Sequence, residues 1–204
     1  MDSLEGKISK FDPISLSEMD EVKLMKRTDT KFVFPLSTLH KILPKLEQHY
    51  RVLEIKGTRL NAYRSLYFDT EDFQFYQQHH NGKTNRNKVR FREYIDSGLS
   101  FLEVKRKNNK GKTVKKRIKV DQIPTELEGS NKGFIDKLVD GGLDLKAQHW
   151  NKFTRITFVH KTKKERIHPF RISKYCMATA KLFPSLKRNN FKRKFLHLDK
   201  LQTK

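Results

Sequence analysis

Charged and apolar residues alternate along three consecutive segments between residues 85 and 119. Arg90 and Arg92 alternate with Val89 and Phe91, and the segments SFLEVKRK and TVKKRIKV repeat the pattern. Because successive side chains of a β-strand point to opposite faces, this predicts three strands with one apolar and one charged face. The charged positions are Arg86, Lys88, Arg90 and Arg92, then Glu103, Lys105 and Lys107, then Lys115, Arg117 and Lys119. Like charges on neighbouring strands repel, so we expect this face to be organised around a polyanion.

The remaining pattern predicts helices and further strands. An apolar stripe in LHKILPKLE predicts a helix over 38–48 with Ser37 as its N-cap, and a helix over 15–26 is expected with Ser15 or Ser17 as N-cap. Strands are predicted at 27–35, 50–56, 61–69 and 151–162, with loops and a short helix over 121–150. About seven strands with two or three helices indicate an α+β fold with a large antiparallel sheet.

The chain is strongly basic, with 45 Lys and Arg against 23 Asp and Glu. A formal charge of +22 favours an anionic partner, and nucleic acid, a membrane surface and phosphorylated small molecules stay open at this level. Cys176 is the only cysteine, which excludes an intrachain disulfide and suits a reducing compartment. The N-terminus has no signal-peptide pattern, and no apolar run is long enough for a transmembrane helix. These features predict a cytoplasmic protein.

A sheet with one cationic face has a direct chemical use if it closes into a barrel. The cations then line a channel and hold a phosphate chain through charge-assisted hydrogen bonds. Glu103 lies among them and is a natural ligand for a divalent metal, since hard cations prefer carboxylate oxygens. Phosphoryl transfer depends mainly on positioning and charge neutralisation, so such a channel could be catalytic without a nucleophilic side chain.

The order of motifs resembles the VTC domain, the polyphosphate polymerase module of the CYTH-like, or triphosphate tunnel, superfamily. The matching segments are KRTDTKFVFP, SLYFDTEDFQFYQQHHNG, RNKVRFREY, FLEVKRKNNKGKTVKKR and FTRITF, which span about residues 25–167. The resemblance implies an antiparallel tunnel of about eight strands with flanking helices. It also implies binding of ATP or another nucleoside triphosphate and of polyphosphate, and transfer of the γ-phosphate to the polyphosphate chain with Mg²⁺ or Mn²⁺ as cofactor.

The resemblance extends to individual positions. Catalytic roles are implied for Lys31, Arg90, Arg92 and Lys105, phosphate or substrate binding for Lys115, Arg117, Arg155 and Arg166, and metal binding for Glu103. Except for Arg166, each of these residues lies on the charged side that the alternation of its own strand defines.

Alternatives remain for the function and for single residues. A tripolyphosphate or nucleoside triphosphate hydrolase would use the same tunnel, and a non-catalytic binder of polyphosphate or RNA is a third class; nucleic acid is the less favoured partner. Arg90 and Arg92 could line a plain solvated face, and Glu103 could serve as an ion-pair partner of Lys105 or Lys115. Asp69 is expected to cap the following turn rather than bind metal. The sequence does not specify an oligomeric state.

The resemblance ends near residue 168, and the charge changes there. Residues 161–204 contain 14 Lys or Arg against two acids, Glu165 and Asp199. The family's late metal-binding carboxylate has no counterpart in HPFRISKYCMATAKLFPSLKRNNFKRKFLHLDKLQTK. We therefore divide the chain into a tunnel domain at 1–167 and an atypical basic tail at 168–204, a pattern that a replaced or out-of-frame C-terminus would produce. The tail is expected to be loosely packed and to leave the tunnel wall without a strand.

Overall fold

The fold combines one large sheet with short helices. The computed structural model describes residues 3–21, 28–172 and 175–182. Within them the α-helices are α1 Leu4–Ile8, α2 Leu16–Glu21, α3 Leu36–Glu47, α4 Gln74–His80 and α5 Gly129–Asp136. The strands are β1 Pro13–Ile14, β2 Thr28–Pro35, β3 Tyr50–Leu53, β4 Asn61–Asp69, β5 Arg86–Tyr94, β6 Leu99–Lys107, β7 Thr113–Val120, β8 Lys146–Arg155, β9 Phe158–His160, β10 Arg166–Ile172 and β11 Tyr175–Leu182. The predicted α+β class is confirmed.

Eight of these strands form one antiparallel path in the order β2-β11-β10-β8-β4-β5-β6-β7. A side branch leaves β10 through β9 and β3 and ends at β1, which runs parallel to β3. The eight-strand path matches the predicted wall of about eight strands. Within the described residues no pairing joins β7 to β2, so the wall is not closed there.

The apolar face of β5 and β6 forms one core. Val89, Phe91 and Leu102 are fully buried, and Val104 is 2% exposed. They pack with apolar residues of β4, α4 and α5, and with the loop that leads into β8. The alternation therefore assigned the faces of these strands correctly.

A second core lies under α1 and α3. Leu39 and Leu43 of α3 are each 1% exposed and pack against Ile8, Val52 and Phe158. Phe34 of β2 also packs against this cluster. The opposite face of β2, which carries Lys31, is thereby left to the charged side of the sheet.

Side-chain caps fix the start of two helices. Asp69 accepts hydrogen bonds from the backbone N–H groups of Phe75 at 2.8 Å and Tyr76 at 2.9 Å. This is the predicted capping role. In α2, Ser15 accepts from Glu18 N–H at 3.3 Å while its own N–H donates to the Glu18 carboxylate at 2.9 Å, a reciprocal capping box. Residues 22–26, the predicted remainder of this helix, and residue 27, the predicted start of the next strand, lie outside the described residues. None of the described helices is long and apolar enough to cross a bilayer.

Several predicted boundaries are wrong, and among them the strand predicted at 50–56 already ends at Leu53. Helix α3 begins at Leu36 after Pro35 and has no side-chain cap, so Ser37 lies inside it; proline suits this start because its φ is already close to helical. The strand predicted at 151–162 starts earlier, at Lys146, and breaks after Arg155 into β8 and β9. The break lets β8 pair with β4 while β9 turns away to pair with β3.

The expected incomplete wall is confirmed between β7 and β2, but the tail does contribute strands to it. Strand β10 continues through residue 168 to Ile172, and β11 pairs with β10 on one side and β2 on the other. Backbone hydrogen bonds therefore hold β11 along both of its edges. Its sequence, YCMATAKL, carries no carboxylate. Residues 183–204 lie outside the described part of the chain.

Candidate anion-binding site

The charged face of β5, β6 and β7 is assembled by their register. Arg90 lies opposite Glu103, which lies opposite Arg117 on β7. Lys105 lies between Lys88 and Lys115 in the same way. Directly opposed residues of antiparallel strands share a face, so the sheet concentrates these side chains on one surface.

An ion-pair cluster around the buried Glu103 lies at the centre of this face. Arg90 donates from Nε and Nη2 to one oxygen of Glu103, at 2.9 and 2.7 Å, and the Lys115 ammonium donates to the other oxygen. The Glu103 side chain is fully buried and that of Arg90 is 12% exposed. Burial would raise the pKa of Glu103, but Arg90 and Lys115 outweigh it and lower the pKa to about 2. Glu103 is therefore a carboxylate at all physiological pH values.

Arg90 and Arg92 are two residues apart on one face but differ in their surroundings. Arg90 also donates from Nη1 to the Tyr67 hydroxyl at 2.9 Å; burial opposes its charge, but Tyr67 and Glu103 raise its pKa overall. Arg92 donates from Nε to Ser65 Oγ at 3.1 Å. Burial, followed by repulsion from Arg90, lowers its pKa. Arg90 has an anionic partner, whereas this Arg92 contact is to a neutral hydroxyl.

Arg155 on β8 reaches the same surface through an aromatic cluster. Its guanidinium lies 4.3 Å from the ring centre of Tyr63 and donates to the Tyr63 hydroxyl. Tyr63 stacks on Phe153 with ring centres 5.1 Å apart, and Arg92 lies 5.5 Å from the Phe153 ring. Within the described residues, Nε of Arg155 is buried without a hydrogen-bond partner. Cation–π contacts therefore place two arginines from different strands over one aromatic surface.

The position of Lys105 in the sheet strongly lowers the pKa of its ammonium group. Burial, and then the charges of Arg90 and Lys115, lower its pKa to about 8. Burial also lowers the pKa of Lys115, against the effect of Glu103. Arg90 and Lys115 thus add repulsion to the effect of burial at Lys105, and a bound anion would relieve that repulsion.

Lys31 shares this sheet face by register. Lys31 pairs with Thr179 of β11, which pairs with His168 of β10, and directly paired residues share a face. Phe170 lies two residues further along β10, so it is on the same face, and it pairs with Arg155. Lys31 is exposed at the β2 end of the wall. Its close approach to Arg90 and Lys105 stays a prediction.

Two other predicted residues make their side-chain contacts away from the Glu103 carboxylate. Arg117 is exposed and stacks on Phe101, with its guanidinium 4.4 Å from the ring centre. Arg166 begins β10, as expected, but its guanidinium donates to the Met19 carbonyl of α2 at 2.7 Å. Arg90, Arg92, Lys105, Lys115 and Arg155 thus lie on one surface of the sheet, whereas the guanidinium of Arg166 contacts α2.

The predicted metal ligand does not fit a divalent ion in this arrangement. Both oxygens of Glu103 already accept hydrogen bonds from cations. Among the described residues there is also no group of three or more His, Cys, Asp or Glu that could hold a metal. Hard cations need several oxygen ligands, so the contacts of Glu103 support the alternative role of ion-pair partner, with Arg90 added to Lys115.

The prediction missed the hydroxyl groups that contact the arginines. Tyr63, Ser65 and Tyr67 alternate along NAYRSLYFD at the same spacing of two as the cations. The spacing of two indicates that the three hydroxyl groups share a face. Which arginine each hydroxyl contacts depends on how β4 pairs with β5 and β8, and the sequence pattern does not specify this.

Comparisons with known proteins agree with this architecture. The chain is similar to a candidate adenylate cyclase from Bacillus halodurans, with a TM-score of 0.51 and 13% identity over 87% of this chain and 88% of that one. A candidate adenylate cyclase from Vibrio parahaemolyticus gives a TM-score of 0.50 and 12% identity over 80% of each chain. At this identity the likeness shows a shared fold. A search of curated proteins gives no significant match. The model of the VTC domain matches residues 26–168, more than half of the sequence. The chain therefore belongs to the VTC domain family.

Proposed function

We propose that the charged face of β5–β7 binds the phosphate chain of a nucleoside triphosphate or polyphosphate. The carrying observation is that Glu103 is the one carboxylate on that face of these three fully described strands. It shares this face with nine cations: Arg86, Lys88, Arg90, Arg92, Lys105, Lys107, Lys115, Arg117 and Lys119. A linear array of phosphates matches a row of cations, and guanidinium groups bind phosphate oxygens in a bidentate manner.

The activity proposed for this site is growth of a polyphosphate chain at the expense of ATP. The bond from the γ-phosphorus to its bridging oxygen breaks, a terminal polyphosphate oxygen forms the new bond, and ADP leaves. Arg90, Arg92, Lys105 and Lys115 would hold the phosphates in line and neutralise the charge that develops on their oxygens. Because both oxygens of Glu103 already accept hydrogen bonds from cations, Mg²⁺ or Mn²⁺ would be held by the phosphate oxygens of the bound nucleotide and would screen their charge.

A binding titration tests the first part of this proposal. Tripolyphosphate is titrated into the purified protein at pH 7, with and without Mn²⁺, and a single-stranded RNA is used as competitor. We expect tripolyphosphate to bind and RNA to compete poorly. The matched control is Arg64→Ala, because Arg64 lies on the opposite face and pairs with Glu93. Equal losses in Arg92→Ala and Arg64→Ala, or displacement by RNA alone, would contradict the site.

A product assay tests the second part. Protein is incubated with ATP and Mn²⁺, and long-chain polyphosphate and free phosphate are measured separately. Polyphosphate that is absent from the Arg92→Ala sample supports the polymerase. Free phosphate alone identifies a hydrolase on the same fold, and neither product, despite binding, identifies a non-catalytic polyanion binder.

A further inference from the structure

Strand β4 presents a row of hydroxyl groups to the arginines of the charged face. Its residues at alternate positions each contact a different arginine. The contacts are Tyr63 with Arg155 Nη2, Ser65 with Arg92 Nε at 3.1 Å, and Tyr67 with Arg90 Nη1 at 2.9 Å. Tyr63 is 2% exposed and Ser65 is fully buried, so the row forms part of the floor of the site.

The position of β4 in the sheet explains why one strand can serve three arginines. It lies between β5, which carries Arg90 and Arg92, and β8, which carries Arg155. Ser65 is directly opposite Arg92, and Tyr67 is directly opposite Arg90. A spacing of two keeps all three hydroxyls on one face, so each can reach sideways to a neighbouring strand.

A hydroxyl acts on a guanidinium differently from a carboxylate. It accepts one N–H and fixes the plane of the group, but it leaves the positive charge and the other N–H donors in place. Glu103, by contrast, takes two donors of Arg90 and neutralises its charge. The tyrosine rings add cation–π support without net charge, with Arg90 at 5.7 Å from Tyr67 and Arg155 at 4.3 Å from Tyr63.

We propose that Tyr63, Ser65 and Tyr67 are positioning residues that orient Arg155, Arg92 and Arg90 for a phosphate chain without adding negative charge of their own. This inference rests on the proposed anion-binding function and adds residues that the cationic pattern does not reveal. The row pre-organises the arginines, so that less side-chain freedom is lost when the anion binds. Removing a hydroxyl should therefore weaken anion binding although no charge is removed.

The test uses Tyr63→Phe, Ser65→Ala and Tyr67→Phe, which keep the rings and all charges. Tripolyphosphate affinity is measured by calorimetry at low and high salt, and folding by thermal denaturation. We expect each variant to bind about 2- to 10-fold more weakly, because a neutral hydrogen bond contributes of that order. The salt dependence should stay as in the wild type, since the number of cations is unchanged. Tyr76→Phe is the matched control, because Tyr76 is 50% exposed and stacks on His80.

A second measurement needs no ligand. The side-chain Nε–H resonance of Arg92, selectively labelled with ¹⁵N, should move and exchange faster with water in Ser65→Ala than in the wild type. Wild-type affinity in all three folded variants would overturn the inference while leaving the anion site intact. Failure of the wild type to bind tripolyphosphate would overturn the proposed function instead. An Arg92 resonance unaffected by Ser65→Ala would then overturn the positioning role as well.

Discussion

The two faces of β5 differ in role: one contributes to the stability of the fold, and the other carries the proposed anion-binding residues. On one face, Val89 and Phe91 are fully buried in an apolar cluster. On the other, Arg90 and Arg92 are held by hydrogen bonds from their guanidinium groups to Glu103, Tyr67 and Ser65.

The comparison teaches that these faces respond to different forces. Burial of apolar area stabilises the first face and needs no partner. The second face concentrates like charges, which costs stability until an anion arrives. Changes on the apolar face should therefore alter folding, and changes on the charged face should alter binding more than folding. Glu103 is the exception, because a change at this residue of the charged face should alter both folding and binding.

The largest expected effect is on the apolar face. Replacing Phe91 by Ala removes a fully buried ring that contacts Phe68 with ring centres 5.4 Å apart. We expect a loss of about 3–5 kcal/mol in the free energy of unfolding, measured with urea. Val114→Ala is the control, because Val114 is 53% exposed and should change stability little. Equal effects of the two substitutions would show that the face assignment is wrong.

Glu103→Gln should combine both effects. It leaves Arg90 and Lys115 without their anion, and we expect a loss of about 3 kcal/mol in stability at pH 7. Because the pKa of Glu103 falls from 4.5 to about 2 on folding, the stabilisation is present above about pH 4.5 and is lost as the pH falls towards 2. The variant should therefore lack part of the acid unfolding of the wild type.

The exposed pair of Arg64 and Glu93 supplies the control for this variant. Glu93→Gln should cost less than about 1 kcal/mol, since exposed pairs are screened. Saturating tripolyphosphate should restore more stability to Glu103→Gln than to the wild type, because the anion replaces the missing carboxylate. If it restores less, Glu103 does not act as an internal counter-ion.

The two arginines of β5 should separate binding from folding. Either Arg90→Ala or Arg92→Ala should weaken tripolyphosphate binding by about 1.5–3 kcal/mol in calorimetry. Arg90→Ala should also lower stability, since Glu103 stays buried with Lys115 alone. Arg92→Ala should leave stability near that of the wild type, because it removes a repelling charge. Identical stability losses in both variants would contradict the difference between their environments.

The smallest expected effect is that of pH on binding. Lys105 has a pKa of about 8 in the free protein, and a bound anion should raise it. Binding should therefore take up protons near pH 8, and affinity should fall by at most about tenfold between pH 7 and pH 9. Calorimetry in buffers of different ionisation enthalpy measures the proton uptake. In Lys105→Met this uptake should disappear; if it persists, another group titrates.

The sequence predicts the faces of β5 and β6 well because one property, the alternation of charged and apolar residues, determines them. It fails at β11, where YCMATAKL has no such alternation and the strand is held by pairing on both edges. It also fails for the hydroxyl row, since alternation places Ser65 on a face but does not specify that Arg92 lies opposite. The register between strands, which depends on the whole sheet, carries that information.

The pairing of β2 with β11 also bears on how the protein is made. Lys31 is synthesised early, yet its strand is joined to the wall through residues 175–182. Contacts of such long sequence separation form late, so the N-terminal end of the charged face should stay open until most of the chain has left the ribosome. Proteolysis of stalled nascent chains should cut near Lys31 until β11 has emerged from the exit tunnel. Protection of β2 in shorter nascent chains would show that another segment pairs with it first.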